Sequence, residues 1–269
     1  MEQHGSNPKQ KVIAVIPARY DSVRLPGKLL LEIDGKPLIL LTLEQAKRAS
    51  VLSRVIVATD DVRIFSVVVE SGGEALMTSK EHLSGSDRIA EVAERLPEGS
   101  IIVNVQGDEP LISSEAINAA VEALLSDPTA DVSTTCEAIQ NIADVFSPNV
   151  VKVVAGASGN ALYFSRSPIP FLRDEVNRAG GLDFALKDDP GLLQHFKKHT
   201  GLYVYRREFL LRYAKTAQSH LEKCEMLEQL RILENGGRIK VVPVEQFSIG
   251  VDTAKDLEQV RQIMAAKAR

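Results

Sequence analysis

The segment VIAVIPARYDSVRLPGK, from Val12 to Lys28, constrains the fold and the chemistry of this chain more than any other. Its short apolar run is typical of a buried β-strand that ends near Pro17, and the loop that follows carries Arg19, Arg24 and Lys28. Packing does not require three cations on one loop, whereas two guanidinium groups and an ammonium can bind several phosphate oxygens. A solvated basic loop is the alternative. Because ligands bind at the carboxyl ends of such strands, we favour phosphate binding.

Alternating strand and helix patterns follow this loop. Residues 36–50 place apolar side chains at helical spacing, residues 54–61 form a buried strand, residues 62–73 form a helix ended by glycines, and residues 100–105 are the clearest buried strand of the chain. This alternation predicts an α/β fold with a mostly parallel sheet flanked by helices.

The pattern changes after Glu137. Two strand-like runs flank a turn between Gly156 and Gly159, which predicts an antiparallel excursion and a second, smaller lobe at about residues 150–205. The aromatic residues of this lobe are expected to be exposed and are candidates for a dimer surface, namely Tyr163, Phe164 and Phe171.

Three more predictions concern the second half of the chain. Residues 177–194 are rich in Gly and Asp and are expected to form a mobile loop. Residues 199–206 are expected to form a strand with its aromatic side chains on one face, and residues 221–236 one amphipathic helix. The acidic face of that helix is expected to be solvated.

Composition limits the possible functions. The net charge of -4 provides no global positive field for nucleic acid, so an anion site must be built locally. Cys136 and Cys224 lack metal-binding spacing and are expected to be reduced, packed thiols. The polar residues 1–10 are expected to be a disordered tail without a secretory signal, and the apolar runs are too short for a membrane span. Cytoplasm is therefore the expected compartment.

Carboxylates at strand ends are candidate metal ligands. Asp108 follows the clearest buried strand, at a point where Mg²⁺ could be held against phosphate oxygens. Thr253 and Asp256 have the spacing of a capping box, so Asp252 is not needed for the cap and is a second candidate ligand. Asp60 and Asp61 are weaker candidates, because Asp61 suits a helix N-cap.

The turn Ser84-Gly85-Ser86-Asp87 precedes an amphipathic helix and offers hydroxyl and backbone N–H groups to a ligand. Simple capping by Ser86 is an equally good interpretation of the local sequence. Arg88 slightly favours a ligand, because a cation in the first helical turn opposes the helix dipole.

Other nucleotide and hydrolase sites are excluded by spacing. Gly27-Lys28 lacks the preceding glycine and the following Ser or Thr of a Walker loop, no G-x-G-x-x-G follows a strand, and nothing resembles a serine nucleophile elbow. Three cations and two strand-end carboxylates together indicate a nucleoside triphosphate with Mg²⁺.

Assembled, the motifs resemble those of one family. IPARYDSVRLPGK, HLSGSDR, NVQGDEP, LYFSRSPIP, HTGLYVY, CEMLEQLR and GVDT occur in the order typical of 3-deoxy-manno-octulosonate cytidylyltransferases, the CMP-KDO synthetases. The resemblance runs from Val12 to about Val260. It implies a Rossmann-like nucleotidyltransferase fold, in which residues 11–269 form a single domain and the smaller lobe at about 150–205 serves sugar binding and dimerisation.

The resemblance also implies a reaction in which CTP and KDO give CMP-KDO and pyrophosphate, for the biosynthesis of lipopolysaccharide or another KDO-containing polysaccharide, with Mg²⁺ as cofactor and a homodimer as the usual assembly. The implied catalytic residues are Arg19, Lys28, Asp108 and Asp252, the last two as metal ligands. The implied CTP-binding residues are Pro17, Ala18, Arg19, Arg24, Lys28, Ser86, Arg88 and Gln106. The implied KDO-binding residues are Arg166, His199, Tyr203, Glu228 and Gln229, which revises the expectation that Glu228 is solvated.

Two alternatives stay open. Ser86 stands where threonine is frequent in the family, and FSIGVDT replaces a more polar approach to the final Asp, which leaves 8-amino-KDO open as the substrate. Single motifs are also shared with CMP-sialic acid synthetases, so sialic acid stays open as well. A non-catalytic regulatory protein of the same fold is less favoured, because the expected phosphate cations and metal carboxylates are all present.

Overall fold

The computed structural model describes residues 10–22, 25–82, 84–245 and 249–267. Arg24 and the first nine residues of the predicted tail lie outside the described residues. The strands are β1 (Val12–Ala18), β2 (Glu32–Ile33), β3 (Lys36–Pro37), β4 (Arg54–Thr59), β5 (Glu74–Met77), β6 (Ile101–Asn104), β7 (Val132–Ala138), β8 (Lys152–Ala155), β9 (Ala161–Ser165), β10 (Lys197–Arg206) and β11 (Ile239–Pro243).

Helices separate most of these strands. They are α1 (Leu38–Lys47), α2 (Val62–Glu70), α3 (Gly85–Glu94), α4 (Ser114–Ser126), α5 (Ile142–Phe146), α6 (Arg173–Ala179), α7 (Leu182–Asp188), α8 (Arg207–Ala214), α9 (His220–Glu225), α10 (Gln229–Glu234) and α11 (Ala254–Lys267), with 3-10 turns at Lys28–Leu30 and Pro190–His195. None of the helices in the described part of the chain combines the length and apolar character that a membrane span requires.

The central sheet confirms the predicted α/β architecture. Its strand order is β11-β7-β10-β6-β1-β4-β5. β1 pairs in parallel with both β4 and β6, and β5 and β11 also join through parallel pairs, whereas β10 runs antiparallel between β6 and β7. The loops after β1 and β6 therefore leave the same edge of the sheet from neighbouring strands, which brings the segments that follow Ala18 and Asn104 together.

Helices cover both faces of the sheet. In β1, Ala14 and Ile16 belong to the core beneath α1 and α4, whereas Ile13 and Val15 belong to the core beneath α3 and α8. All four side chains are fully buried. Successive side chains of a strand point to opposite faces, so the continuous apolar run of β1 is what a strand buried on both faces requires. Pro17 lies inside β1, which extends one residue further than the sequence predicts.

The predicted antiparallel hairpin is present. β8 pairs antiparallel with β9 from Lys152 to Ala155, and Lys198 of β10 pairs with Lys152. The hairpin thus extends the central sheet beside the first half of β10. The division of the chain into one domain with an inserted lobe stays a prediction.

Two predictions of local structure are wrong. Residues 177–194 are not a loop but contain the end of α6, all of α7 and most of a 3-10 turn, because Leu186 and Phe196 provide an apolar cluster for them to pack on. Residues 221–236 are not one helix. Met226 adopts a φ of 52°, in the left-handed region, which separates α9 from α10.

Two predictions of exposure are also wrong. Phe164 is fully buried in the core. Of the aromatic side chains that were predicted to be exposed, Phe171 is exposed, at 67%. Cys224 is exposed, whereas Cys136 is buried and free as expected. Burial raises the pKa of the Cys136 thiol to about 11, which keeps it protonated and unreactive.

Candidate active site

A cleft of about 360 Å³ lies at the carboxyl ends of β1 and β6. Its lining also includes the first turn of α3 and the residue that precedes α10. Its lining residues are Pro17, Arg19, Asp21, Ser22, Lys28, Leu29, Ser84, Gly85, Gln106, Gly107, Asp108 and Glu228. The structure therefore brings together most of the phosphate-loop residues and one of the two carboxylates that the sequence indicates.

Lys28 forms the centre of the charged end of this cleft. Its ammonium donates hydrogen bonds to Asp108 Oδ2 at 2.5 Å and to Asp252 Oδ1 at 2.9 Å. Burial alone lowers the pKa of Lys28, but the two carboxylates raise it above its ordinary value overall. The preceding turn is held by Gly27, whose φ of 64° suits glycine and whose missing side chain leaves room for the Tyr20 ring.

The loop that carries Asp108 and the segment that carries Asp252 are tied together by backbone. The Val251 amide donates to the Asp108 carbonyl at 2.9 Å. Thr253 and Asp256 cap α11 as predicted, with Thr253 N 2.8 Å from Asp256 Oδ2 and Asp256 N 3.3 Å from Thr253 Oγ1. Asp252 consequently lies at the end of a hydrogen-bonded turn, and its carboxylate accepts a hydrogen bond from the Lys28 ammonium.

The chemistry of this donor set fits a hard divalent cation bound together with phosphate. The Lys28 ammonium lies between the carboxylates of Asp108 and Asp252 and forms an ion pair with each, so the two carboxylates already share one positive charge. Within the described ranges, no group of three or more His, Cys, Asp and Glu side chains could hold a metal without other ligands. Two carboxylates are nevertheless enough for Mg²⁺, which takes its remaining ligands from substrate phosphates and water.

Glycine at position 107 allows the β6 loop to approach β1 closely. A Cβ atom there would lie 2.9 Å from the Pro17 carbonyl oxygen, closer than real Cβ atoms approach backbone. The Gly107 carbonyl accepts a hydrogen bond of 3.0 Å from Thr42 in α1. Any side chain at this position would push Asp108 and Gln106 away from the β1 loop.

The first turn of α3 lines the cleft, but its cap is not the predicted one. Ser84 is the N-cap, and Ser84 and Asp87 form a reciprocal capping box. The interpretation of Ser86 as the cap is therefore wrong. Ser86 instead donates to Glu228 Oε2 at 2.7 Å, so its hydroxyl connects α3 with the segment before α10.

A second pocket of about 220 Å³ adjoins the cleft. The two share Gly85, Gln106 and Glu228. The remaining residues that line the second pocket are Ser86, Asn104, Tyr203, Tyr205, Tyr213, Met226, Leu227 and Gln229. Three of the predicted sugar-binding residues, Tyr203, Glu228 and Gln229, thus line one pocket, next to the predicted phosphate site.

Glu228 and Gln229 provide the polar groups at one side of this second pocket. Burial raises the pKa of Glu228, although the hydrogen bond from Ser86 and the charge of Arg231 oppose the shift. Gln229 is 5% exposed, and its Nε2 amide has no hydrogen-bond partner among the residues that the structure describes. A buried amide donor without a partner is costly, so a ligand oxygen is a fitting partner for it.

Two predicted sugar-binding residues lie outside the lining of this pocket. His199 packs between Phe164 and Tyr203, with ring centroids 5.0 and 5.3 Å apart, and its Nε2 is 2.9 Å from Thr134 Oγ1. Burial lowers the pKa of His199 to about 3, so the ring is neutral near pH 7. The Arg166 guanidinium donates to three backbone carbonyls, those of Pro148, Glu225 and Met226.

Three predicted CTP-binding residues also lie outside the cleft lining, and one of them, Ser86, lines the second pocket instead. Arg88 is fully buried and pairs with Asp60 at 2.6 Å and with the Thr78 hydroxyl, although its Nε has no partner within the described chain. Ala18 is buried at the end of β1. Asp61 caps α2 as predicted, with the Arg63 amide 2.9 Å from its Oδ1.

Sequence reasoning did not assign five residues of the second pocket to the site, namely Asn104, Tyr205, Tyr213, Met226 and Leu227. Asn104 lies two positions before Gln106, so strand alternation could have indicated it, whereas Tyr205 was predicted to share a strand face with Tyr203 but was not assigned a role. The rings of Tyr203, Tyr205 and Tyr213 stack in series, with centroids 5.8 and 6.4 Å apart. Tyr213 comes from α8, and no local pattern indicates it.

Comparisons with known proteins agree with this geometry. The family model described as cytidylyltransferase matches residues 13–241. The chain is 52% identical over 254 residues to the 3-deoxy-manno-octulosonate cytidylyltransferase of Trichlorobacter lovleyi, covering 94% of this chain and 98% of that relative. It is 45% identical over 261 residues to the protein of the same name from Nitrosococcus oceani, covering 95% and 97%.

Solved structures extend the comparison. A CMP:2-keto-3-deoxy-manno-octonic acid synthetase complexed with CTP superimposes with a TM-score of 0.86 at 40% identity, covering 96% of this chain and 100% of that one. The 4-diphosphocytidyl-2C-methyl-D-erythritol synthase of Anaerococcus prevotii has a TM-score of 0.62 at 12% identity, covering 95% and 99%. The second similarity shows the fold alone.

Proposed function

The chain belongs to the cytidylyltransferase family, and on that premise we propose that it transfers CMP from CTP to 3-deoxy-manno-octulosonate (KDO), with release of pyrophosphate. The observation that carries the proposal is the pair of adjoining pockets that share Gln106 and Glu228. One has the cations and carboxylates that a triphosphate with a metal requires. The other is lined by tyrosines and buried polar groups suited to a sugar.

In this reaction the anomeric hydroxyl oxygen of KDO attacks the α-phosphorus of CTP, and the bond from that phosphorus to the pyrophosphate oxygen breaks. Lys28 neutralises charge on the triphosphate and on the leaving group, because its raised pKa keeps it an ammonium at neutral pH. Arg19 lines the same cleft, with its guanidinium held by the His82 carbonyl. The proposed action of both residues is positioning and charge neutralisation.

Mg²⁺ is proposed as the cofactor, held by Asp108 and Asp252, whose carboxylates already bind the Lys28 cation. When bound there, the ion supplies charge neutralisation on the phosphates and lowers the pKa of the attacking hydroxyl. With Mg²⁺ held by the two carboxylates, the Lys28 ammonium would be available to phosphate oxygens.

Nucleobase recognition is proposed near Pro17 and Gln106. The Gln106 amide lies 3.3 Å from Asn104 Oδ1 and lines both pockets, so it can supply the donor or the acceptor that cytosine needs. Arg24 stays a proposed phosphate ligand. Ala18 is proposed to contribute backbone only, and Arg88 to fix α3 through Asp60 rather than to touch the base.

The sugar is proposed to bind Glu228, Gln229 and Tyr203 in the second pocket. The neutral His199 ring packs against the Tyr203 ring, with centroids 5.3 Å apart, and is proposed to fix its position. Arg166 stays the proposed partner of the KDO carboxylate. Its three carbonyl bonds leave unused N–H groups, since a guanidinium has five.

Three further proposals rest on the family and on exposure. The product is proposed to serve the biosynthesis of lipopolysaccharide or a related polysaccharide in the cytoplasm. The enzyme is proposed to be a homodimer that uses the hairpin of β8 and β9 and its surroundings. Exposed apolar side chains support this, since Leu162 is 66% and Phe171 67% exposed.

The test is pyrophosphate release from CTP, KDO and Mg²⁺, with ATP, UTP and GTP in parallel. The proposal predicts release that requires CTP and KDO together. Sialic acid and 8-amino-KDO replace KDO in two further arms. A folded protein that releases pyrophosphate only with one of those sugars, or with none, would falsify the assignment to KDO.

A further inference from the structure

Lys152 at the start of β8 is a fully buried lysine to which the proposed mechanism gives no task. Its ammonium donates to the carbonyls of Ser147 at 2.9 Å, Val150 at 2.6 Å and Arg166 at 2.6 Å. All three of its N–H donors are therefore used. No ion pair to Lys152 occurs in the part of the chain that the structure describes.

Burial of an ammonium is unfavourable, and the three carbonyl acceptors offset part of that cost. Two of its acceptors lie in the segment before β8, and the third is the first residue after β9. Burial lowers the pKa of Lys152, and the neighbouring Arg166 charge lowers it further. A methionine would satisfy the packing at this position and leave the three carbonyls without their donor.

Arg166 continues the connection towards the second pocket. Its amide donates to Glu225 Oε2 at 3.0 Å, and its guanidinium donates to the carbonyls of Glu225 at 2.7 Å and Met226 at 3.2 Å. Ser165 Oγ donates to the other oxygen of Glu225 at 2.7 Å. Hydrogen bonds thus connect the end of β9 to the break between α9 and α10.

The break between α9 and α10 positions the residues that form the polar side of the second pocket. Met226, with its left-handed backbone, Leu227, Glu228 and Gln229 are consecutive, and all four line the pocket. Arg166 also donates to the Pro148 carbonyl at 2.8 Å, so Lys152 and Arg166 hold the same segment from two sides. Lys152 is thus connected to the Glu225 and Met226 carbonyls through the Arg166 backbone and guanidinium.

We propose that Lys152 is a positioning residue for the sugar pocket, acting through Arg166 and the Met226 break to set Glu228 and Gln229. The inference rests on the proposed function, because it identifies the second pocket as the KDO site. A lysine that only stabilises the fold would affect both substrates equally. A positioning lysine affects the sugar more than CTP. Gln229 lines the second pocket alone, whereas Lys28 and Asp108 of the phosphate cleft lie on the loops after β1 and β6.

The test compares Lys152→Met with wild type in steady-state assays, varying KDO at saturating CTP and CTP at saturating KDO. We expect the KM for KDO to rise about tenfold, which corresponds to about 1.4 kcal/mol, and the KM for CTP to stay within about twofold of wild type. Lys240→Met is the matched control, because the Lys240 ammonium also donates to a backbone carbonyl, that of Ser158 at 2.6 Å. We expect the control to leave both KM values unchanged.

Glu225→Gln is a second variant, for the case in which Lys152→Met does not fold. It weakens the same connection at its other end, so the KM for KDO should again rise without a change in the KM for CTP. Circular dichroism melts set an assay temperature at which every variant is folded. An unchanged KM for KDO in whichever of these variants folds, or a parallel rise in both KM values, would overturn the inference. Wild-type protein inactive with CTP and KDO would instead refute the proposed function, and this inference with it.

Discussion

Lys28 and Asp108, eighty positions apart in the sequence, form an ion pair of 2.5 Å at the carboxyl edge of the sheet. The pair joins the loop after β1 to the loop after β6, and Asp252 at the start of the last helix completes it at 2.9 Å. Parallel pairing of β1 with β6 makes this contact possible, because both loops leave the sheet at the same end. The arrangement explains how three separated motifs come together in the one charged cluster that is proposed to bind phosphate.

Asp108→Asn is expected to reduce pyrophosphate release at least about a hundredfold, on the scale of losing one preorganised electrostatic group. The change removes the charge and preserves the shape, so the melting temperature should change little. Asp183→Asn is the control, since Asp183 does not line the cleft and forms only an exposed ion pair with Lys187, at 3.5 Å. If Asp108→Asn turned over at the wild-type rate, Asp108 would have no role in binding metal or phosphate.

Lys28→Met is expected to lower kcat by about two orders of magnitude, because an ammonium that neutralises the leaving pyrophosphate is lost. The raised pKa of Lys28 keeps it charged until pH exceeds its ordinary value of 10.5. The wild-type rate should therefore show no decline from this group between pH 7 and pH 9. Lys36→Met, which removes an exposed lysine paired with Glu44 at 2.8 Å, is the control and should retain full activity. Stopped assays across that pH range measure both effects.

His199 is expected to make the fold less stable in mild acid. Its folded pKa of about 3 lies below the ordinary 6.5, so the unfolded chain binds a proton that the folded chain does not. Stability therefore falls as pH drops below 6.5, by about 1.4 kcal/mol per pH unit, until pH approaches the folded value. Urea unfolding of wild type and of His199→Phe, at pH 7 and at pH 5, measures this change in the free energy of unfolding.

The variant should lose less stability than wild type between the two pH values, by about 2 kcal/mol. Carboxylates also titrate near pH 5, but they do so in both proteins, so the difference isolates His199. Equal losses in the two proteins would show that His199 has the same pKa in the folded and the unfolded chain.

Gly107→Ala is expected to impair activity without unfolding the protein. The added Cβ would lie 2.9 Å from the Pro17 carbonyl, so the loop must shift away from β1 and carry Gln106 and Asp108 with it. We expect a loss of at least about tenfold in kcat/KM for CTP, equivalent to about 1.4 kcal/mol. Gly72→Ala is the control for glycine loss, because its added Cβ meets nothing within 4 Å, although its φ of 76° adds local strain. Activity of Gly107→Ala equal to that of this control would show that the close approach is not needed.

Much of the fold could be predicted from the sequence because its signals are local. The apolar run of β1, the Asp61 cap and the Thr253–Asp256 capping box all depend on neighbouring residues, and the structure confirms each. Arg19, Lys28 and the Asp108 carboxylate were also predicted from their places in loops that follow strands, and the structure brings them together in one cleft.

The features that were missed depend on tertiary contacts. The break at Met226 carries no glycine or proline signal, and it is held by Arg166, sixty positions earlier. Ser86 could not be separated from Ser84 as a cap without knowing that Glu228 lies opposite it. Helices replace the expected loop at residues 177–194 because a small apolar cluster around Phe196 exists only in the folded chain.

The central claim, transfer of CMP to KDO, is tested most directly by mass spectrometry of the products formed from CTP, KDO and Mg²⁺. The account predicts CMP-KDO and pyrophosphate in equal amounts, with neither formed by Asp108→Asn above about one hundredth of the wild-type rate. A product that retains the β-phosphate on the sugar nucleotide, or free CMP without CMP-KDO, would contradict it.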